Sequence, residues 1–307
     1  MAIKKRYPQT MLATACIPWN DSFELDEKLF RDEVRHLLGA GIKHIYIMGT
    51  AGEGYDLTNE EYEKIVGVFM EEMSGPGLHP MVCVISQSTQ LTLQRIEIAH
   101  KIGIREFQLV LPSWGVLNDR ELLTYFHMIC DRYPDCSFMI YNIGRSGRVL
   151  GIDHFQALAK EIPNLVAAKF TTPNTVILNE ILNCDCPIQF FVTDLGWAYG
   201  SQIGECGYLL SIGISNPGIA RKYFEAGLNR DFNELFRIER ELGLIRQSLI
   251  KVVGTNAMDG AYDKLTTKLG LPDFPLRLRP PYEYPSDEDY RKHREYIQDK
   301  LPHWVQN

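Results

Sequence analysis

Lys169 is the most unusual residue of this chain, because it closes the otherwise apolar run Leu165-Val166-Ala167-Ala168-Lys169-Phe170. A strand of a parallel sheet is covered on both faces, so an amine at its end is drawn out of water. Desolvation lowers the pKa of an amine and frees its lone pair to attack a ketone carbon, which is Schiff-base chemistry. The competing reading is a lysine that snorkels from the strand end or pairs with Glu53. A second run, Phe138-Met139-Ile140-Tyr141-Asn142, ends on a phenol that at the same rim would carry protons to and from a substrate. Its alternative is a core tyrosine with a satisfied hydroxyl. A third segment, Met48-Gly49-Thr50-Ala51-Gly52-Glu53-Gly54, brings backbone N–H groups and the Thr50 hydroxyl close together, as a carboxylate ligand requires. A plain tight turn is the other reading of those glycines. The segment is neither a P-loop nor a dinucleotide fingerprint, since it has no G-K-[ST] and no G-x-G-x-x-G spacing.

These three segments need a frame that gathers them, and the rest of the pattern supplies one. Short apolar, β-rich runs fall at 11–17, 44–48, 81–86, 107–111, 138–141, 165–170, 188–193 and 208–213. Between and after them lie segments of helical periodicity at 25–38, 59–73, 90–102, 119–132, 153–161, 174–182, 196–205 and 217–226. Asn59 begins a helix with acids at 60, 61 and 63, and Gly41 and Gly103 each close one. Eight strand–helix pairs fit an α/β fold of the (β/α)8 TIM-barrel type better than a doubly wound sheet, for which five or six strands are usual. The expected organisation is a barrel over 1–228 and a C-terminal helical extension over 229–307 packed on it. That extension reads as helices at 232–252, 259–269 and 287–301 around a proline-rich stretch at 271–285. Active-site groups of such a barrel come from the C-terminal ends of its strands, which is where Thr50, Tyr141 and Lys169 fall.

Composition removes several functions. Lys+Arg 32 against Asp+Glu 39 leaves a net charge of −7, with no basic patch for nucleic acid or anionic lipid. No apolar run approaches the ~18 residues of a membrane span, and the short N-terminal stretch at 11–17 reads as a first strand rather than a signal segment. The seven cysteines are an odd number and mostly sit in apolar runs, so free thiols and a cytoplasmic location are expected. Cys184-Asp185-Cys186 lacks C-x-x-C spacing, the eight histidines are scattered, and neither H-E-x-x-H nor G-x-S-x-G occurs. A bound metal is therefore not expected.

Taken in order, Gly49-Thr50-Ala51-Gly52-Glu53 with Leu57-Thr58, then Tyr141-Asn142, then Lys169 resemble the dihydrodipicolinate synthase and N-acetylneuraminate lyase family of pyruvate-dependent class I aldolases. The resemblance runs over nearly the whole chain, including a proline-bearing stretch at 276–281. It implies that Lys169 condenses with the keto carbon of pyruvate or a related 2-keto acid. Tyr141 would then shuttle protons, Thr50 would complete the catalytic set, and the Thr50/Ala51 backbone, with Gly52 beside it, would bind the carboxylate. It further implies no metal or organic cofactor and a homotetramer or dimer.

The departures bear on the second substrate. Ala51 replaces the second of two hydroxyl residues. Trp114 stands where the synthases carry a tyrosine that completes a proton relay across a subunit interface, and indole cannot relay a proton as phenol does. Its indole suggests a stacked sugar-derived or aromatic acceptor, a gap-filling core tryptophan being the alternative. An arginine for a second carboxylate is Arg145 or Arg148, Arg145 fitting if a one-residue gap is allowed. Ser211 aligns with a residue, usually aliphatic, that lines the keto-acid pocket. The expected function is a Schiff-base lyase or aldolase joining a 2-keto acid and an aldehyde, or cleaving a keto-deoxy sugar acid. The alternatives are dehydration of a keto-deoxy sugar acid and a non-catalytic keto-acid-binding member.

Overall fold

The computed structural model describes residues 3–305; residues 1–2 and 306–307, at the outer limits of the two expected regions, lie outside the described residues. Eight strands close into a barrel in chain order: β1 (Met11–Thr14), β2 (His44–Ile47), β3 (His79–Val84), β4 (Glu106–Leu109), β5 (Ser137–Tyr141), β6 (Leu165–Lys169), β7 (Gln189–Thr193) and β8 (Gly207–Leu210). All neighbours are parallel, and β8 returns to β1. The helices that follow the strands are α1 (Glu27–Gly39), α2 (Asn59–Glu72), α3 (Thr89–Ile102), α4 (Asp119–Cys130), α5 (Ile152–Glu161), α6 (Thr175–Asn183), α7 (Asp194–Ile203) and α8 (Pro217–Asn229).

Period-two alternation divides the apolar residues into two layers. Along β5, Met139 and Tyr141 join the cluster inside the barrel, while Phe138 and Ile140 join the layer between sheet and helices. Large and small residues fit each other in that interior. A Cβ at Gly207 would come within 2.4 Å of the Phe191 ring.

Side-chain caps fix where the helices start. α2 begins at Asn59 as expected, with Thr58 as its N-cap: the Thr58 hydroxyl accepts from Glu61 N while the Glu61 side chain accepts from Thr58 N, a capping box. Asp26 caps α1 and Asn174 caps α6, which moves both starts inward from the expected positions.

Three boundaries differ for identifiable reasons. β1 stops at Thr14 rather than 17, because Cys16 N donates to Glu33 Oε1 at 3.0 Å and the chain leaves the sheet. β8 stops at Leu210 rather than 213, because the buried carboxylate of Asp194 gathers the N–H groups of Ser211, Ile212 and Gly213 at 2.9–3.0 Å and curls them into a turn. The same Asp194 starts α7 two residues before the expected position.

After the barrel come α9 (Phe232–Val253), α10 (Asp259–Gly270) and α11 (Asp287–Lys300). Leu235, Ile238, Leu242, Ile245 and Leu249 of α9 are buried in the same apolar layer as the barrel's own helices. α10 packs over the turn after β8, which carries it to the C-terminal mouth of the barrel. Among the described residues no helix is long and apolar enough to cross a membrane.

Candidate active site

Strand register decides which side chains meet. β5 and β6 pair with Tyr141 directly opposite Lys169, after a one-residue irregularity between Phe138 and Met139. The last residues of the two strands therefore project together. Lys169 Nζ lies 3.5 Å from the Tyr141 hydroxyl and 4.6 Å from the centre of its ring. The Tyr141 hydroxyl in turn lies 3.1 Å from Thr50 Oγ1, making one buried line from β6 through β5 to the loop after β2.

That loop is held rigidly from behind. Met48 and Glu53 both adopt positive φ, at 62° and 50°, and a Cβ at Gly54 would sit 2.1 Å from Met48 O. Only glycine lets the chain close over Met48 there. Glu53 accepts from Trp19 Nε1 at 2.9 Å, Lys264 Nζ at 2.5 Å and Arg279 N at 2.9 Å. Arg95, 3% exposed, donates to the carbonyls of Gly54 and Leu57 below the loop and of Ile85 beside it. So Glu53 serves the loop, and its lysine partner is Lys264 rather than Lys169.

Lys169 and Tyr141 border a cavity of about 780 Å³ at the C-terminal mouth, and Thr50 stands behind the Tyr141 hydroxyl without lining it. Ala51, Arg145 and Ser211 line it as well. Gly52 does not: a Cβ there would come within 2.8 Å of Met48 N and 3.2 Å of Ala15 O. Even so, the backbone N–H groups of Ala51 and Gly52 have no acceptor among the described residues, so both remain free to donate.

Of the two arginines, Arg145 reaches the cavity, where it pairs with Asp259 of α10 at 2.9 Å. Arg148 turns away to Leu117 O, Asp119 and His154, fastening the start of α4 to the loop after β5. Trp114 meets neither expectation for it. It is 88% exposed on the loop after β4 and touches neither the cavity nor the core. Ser211 Oγ donates to Asp263 Oδ1 at 2.7 Å.

The charge state of Lys169 also departs from the desolvated amine expected. Burial pulls the amine down, but the Tyr141 phenol, its hydrogen bond, and the charges of Asp259 and Asp263 outweigh burial and hold it above the ordinary lysine range. Burial pushes the carboxyl of Asp263 up to about 7, with Asp259 adding to the effect. Asp194 is raised by burial as well, although Tyr208 Oη and three backbone N–H groups oppose the shift.

Sequence reasoning missed the acids of α10. Asp259 and Asp263 are four apart on one helix, so they share a face. That spacing is a usable signal only once α10 is known to lie over the barrel mouth. It also missed a cluster at the opposite end of the barrel, where histidines far apart in the chain come together. His44 and His79 stack with ring centres 4.0 Å apart beside Glu106, and Tyr7 hydroxyl bonds His44 Nδ1 and Glu106 Oε2. These groups could collectively approach a metal ion, but they lie at the strand beginnings, away from Lys169.

Known proteins are similar to this chain in sequence and fold. The profile of the Dihydrodipicolinate synthetase family matches residues 8–300. A 4-hydroxy-tetrahydrodipicolinate synthase from Exiguobacterium sibiricum is 26% identical over 279 residues, covering 87% of this chain and 90% of that protein. A probable 5-dehydro-4-deoxyglucarate dehydratase from Oceanobacillus iheyensis is 23% identical over 317 aligned positions, covering 99% of this chain and 98% of that protein. Among solved structures, YagE, a prophage protein of the dihydrodipicolinic acid synthase family from E. coli K12 in complex with pyruvate, superposes with a TM-score of 0.85 at 15% identity. The superposition covers 95% of this chain and 98% of that one. At that identity the likeness speaks for the fold, and the family match speaks for the chemistry class. A closed barrel with a family profile running through it from residue 8 to residue 300 makes this chain an enzyme of the dihydrodipicolinate synthetase family, a class I aldolase-type family of lyases and dehydratases.

Proposed function

We propose that the protein is a Schiff-base-forming lyase that takes pyruvate or a related 2-keto acid, together with an aldehyde or as part of a keto-deoxy sugar acid. The observation that carries this reading is the strand register that sets Tyr141 against Lys169, with Thr50 behind the phenol. The neutral Lys169 amine adds to the keto carbon, and loss of water leaves an iminium. Tyr141 moves the protons of that step and then takes one from C3, so that the C–H electron pair becomes the enamine double bond. The free N–H groups of Ala51 and Gly52, with Thr50, suit the keto acid's carboxylate. Arg145 is the cationic group for a second anionic end of the substrate, at the cost of exchanging its partner Asp259. Ser211 lines the same cavity wall. No cofactor is needed, because the iminium itself is the electron sink.

Dehydration of a keto-deoxy sugar acid is a second reading, favoured by the dehydratase relative that matches this chain almost end to end. The same iminium and enamine precede either outcome. We further propose that the barrel and the helices after residue 228 work as one unit, since α9 and α10 supply part of the cavity wall. Seven unpaired cysteines suit a reducing cytoplasm. Assembly as a homotetramer or dimer follows the family expectation and is checked by light scattering.

The test is reductive trapping. Incubation with pyruvate and borohydride should add the mass of one reduced pyruvate, and peptide mapping should place it on Lys169. No gain, or a gain on another lysine, refutes the Schiff-base assignment. A Lys169 adduct without consumption of keto-deoxy sugar acids by the enzyme would instead support the keto-acid-binding alternative.

A further inference from the structure

Period-two alternation carries the inward positions of each strand up to the cavity. Leu12 of β1 and Leu209 of β8 belong to the apolar cluster inside the barrel. Two positions further along, where the cavity begins, the residues are Thr14 and Ser211. They directly follow the Ala13–Leu210 pair, so the strand pairing brings them side by side. On its other flank Thr14 is paired with Tyr46 of β2, which also lines the cavity. Hydroxyl residues therefore run along β8, β1 and β2, above a layer that is hydrocarbon at two of those three strands.

Their hydrogen bonding is incomplete. Thr14 is 1% exposed, and its Oγ1 has no partner among the described residues. Ser211 Oγ gives its proton to Asp263 Oδ1 at 2.7 Å, which leaves its own lone pairs open. A buried hydroxyl without a partner is destabilising, and valine at position 14 would fill the same space without that cost. A hydroxyl kept there is explained by something that enters the cavity and meets it.

Topology says which part of a substrate that is. In a closed barrel of eight strands in chain order, β1 lies across from β5 and β2 across from β6. The hydroxyl wall thus faces Tyr141 and Lys169 over the cavity. A keto acid joined to Lys169 through C2 has two further directions. Its carboxylate suits the free N–H groups of Ala51 and Gly52 in the loop after β2. C3 and its substituent are left for the hydroxyl wall. A methyl group would leave Thr14 unpaired and Ser211 open. A hydroxyl meets both, because it accepts from Thr14 Oγ1 and donates to Ser211 Oγ. An ammonium group cannot accept, and a carboxylate cannot donate.

We propose that Thr14 and Ser211, with Tyr46 beside them, form a subsite for a hydroxyl on C3 of the keto acid. The substrate class that follows is a 3-hydroxy-2-keto acid, of which hydroxypyruvate is the smallest. This rests on the Schiff-base reading above and selects its first branch, in which a keto acid and an aldehyde are joined. The covalent steps keep their order. The Lys169 amine adds to C2 and water leaves; Tyr141 takes a proton from C3, and the C–H pair becomes the enamine double bond. That pair then bonds to the aldehyde carbon, and the aldehyde oxygen takes the proton back from Tyr141. Water hydrolyses the iminium and frees Lys169. The hydroxyl stays on C3 throughout, so the product is oxygenated at both C3 and C4.

Competition for one lysine tests the subsite, because a ratio of adducts does not depend on how much of a variant is folded. Wild type, Thr14→Val and Ser211→Ala are mixed with equal concentrations of pyruvate and hydroxypyruvate and reduced with borohydride. Intact mass is read before either adduct saturates; the two differ by one oxygen atom. The same mixture reduced on N-acetyl-lysine gives the intrinsic ratio, by which each result is divided. Wild type should favour hydroxypyruvate by at least about tenfold. Thr14→Val keeps the shape of the side chain and should lower that preference by about five- to tenfold. Ser211→Ala should lower it by about threefold or more, and it decides the question if the valine variant does not fold. A wild type that shows no preference or prefers pyruvate overturns the subsite. So does a wild-type ratio in either variant, which would mean that these hydroxyls meet only ordered water. Absence of a Lys169 adduct with both acids instead overturns the Schiff-base reading.

Discussion

Two lysines are buried near the mouth of this barrel, and the chain treats them in opposite ways. Lys264 is fully enclosed: Glu53 Oε1 lies 2.5 Å from its Nζ, the carbonyl of Arg277 accepts from it, and the Trp19 ring lies 5.7 Å away. Among the described residues Lys169 has no carboxylate in hydrogen-bond contact; it has one 3.5 Å bond to a phenol and a cavity in front of it. Burial draws Lys264 below the ordinary lysine range in spite of Glu53. Lys169 is held above that range by Tyr141 and by the acids across the cavity. A satisfied lysine closes a loop; an under-satisfied one beside a phenol and open space has the surroundings that the proposed nucleophile requires.

Removing each lysine in turn is the severest way to break the contrast. Lys169→Ala should abolish the pyruvate adduct and reduce turnover by at least about 10³-fold, with the protein still folded. Lys264→Met should do the reverse. It leaves buried Glu53 with the Trp19 and Arg279 N–H groups but without its ion-pair partner, at a cost of ~3–5 kcal/mol in a urea melt, while the folded fraction still traps pyruvate on Lys169. Equal trapping by Lys169→Ala and wild type, or a folded Lys264→Met that traps nothing, would erase the distinction between the two sites.

The second test uses the charge on Lys169. Attack on a keto carbon needs the neutral amine, and an amine held above its ordinary range is protonated at neutral pH. The rate of adduct formation should therefore climb with pH, by up to about tenfold per unit, until the amine is deprotonated. Tyr141→Phe removes the hydroxyl that helps hold the charge, so the rising limb should move toward acid even as proton transfer at C3 slows by about 10²-fold or more. Initial trapping rates between about pH 6 and 10 check both effects. A limb unmoved by the phenylalanine would show that Tyr141 is not what holds the proton on Lys169.

The contrast also marks what was legible in the chain. The apolar run before Lys169, the phenol ending β5 and the glycine-dense loop after β2 are local patterns. The barrel converts them into one site because parallel strands in order put their C-terminal ends together. Asp263 and Lys264 were not legible, because two adjacent charges on a 12-residue helix look like a solvated pair. Only contacts across 52 and 211 positions, Ser211 with Asp263 and Glu53 with Lys264, turn one into the cavity and the other into the core. Distance in sequence likewise hid the fate of Glu53, which as a strand-end acid was an apparent partner for Lys169. The arginine question needed three dimensions for the same reason. Arg145 and Arg148 are three apart on one loop, and Asp259 of α10 and Asp119 of α4 pull them to opposite sides.

Trp114 gives the smallest expected effect and sharpens the comparison from outside. Trp19 and Trp114 are the same side chain used in opposite ways: Trp19 is 1% exposed and donates to Glu53 within the closed cluster, whereas Trp114 is 88% exposed. An indole in water contributes little to the stability of its own chain and cannot stack a substrate bound inside a cavity that it does not line. Trp114→Ala should shift the melting free energy by no more than about 0.5 kcal/mol and leave the rate of pyruvate trapping within about twofold. Trp114→Tyr should behave the same way in trapping, because any relay through that position lies beyond the Lys169–Tyr141–Thr50 line. A large loss of trapping in either variant would mean that residue 114 reaches a catalytic site in the assembled protein, and the site would then have to be redrawn to include the loop after β4.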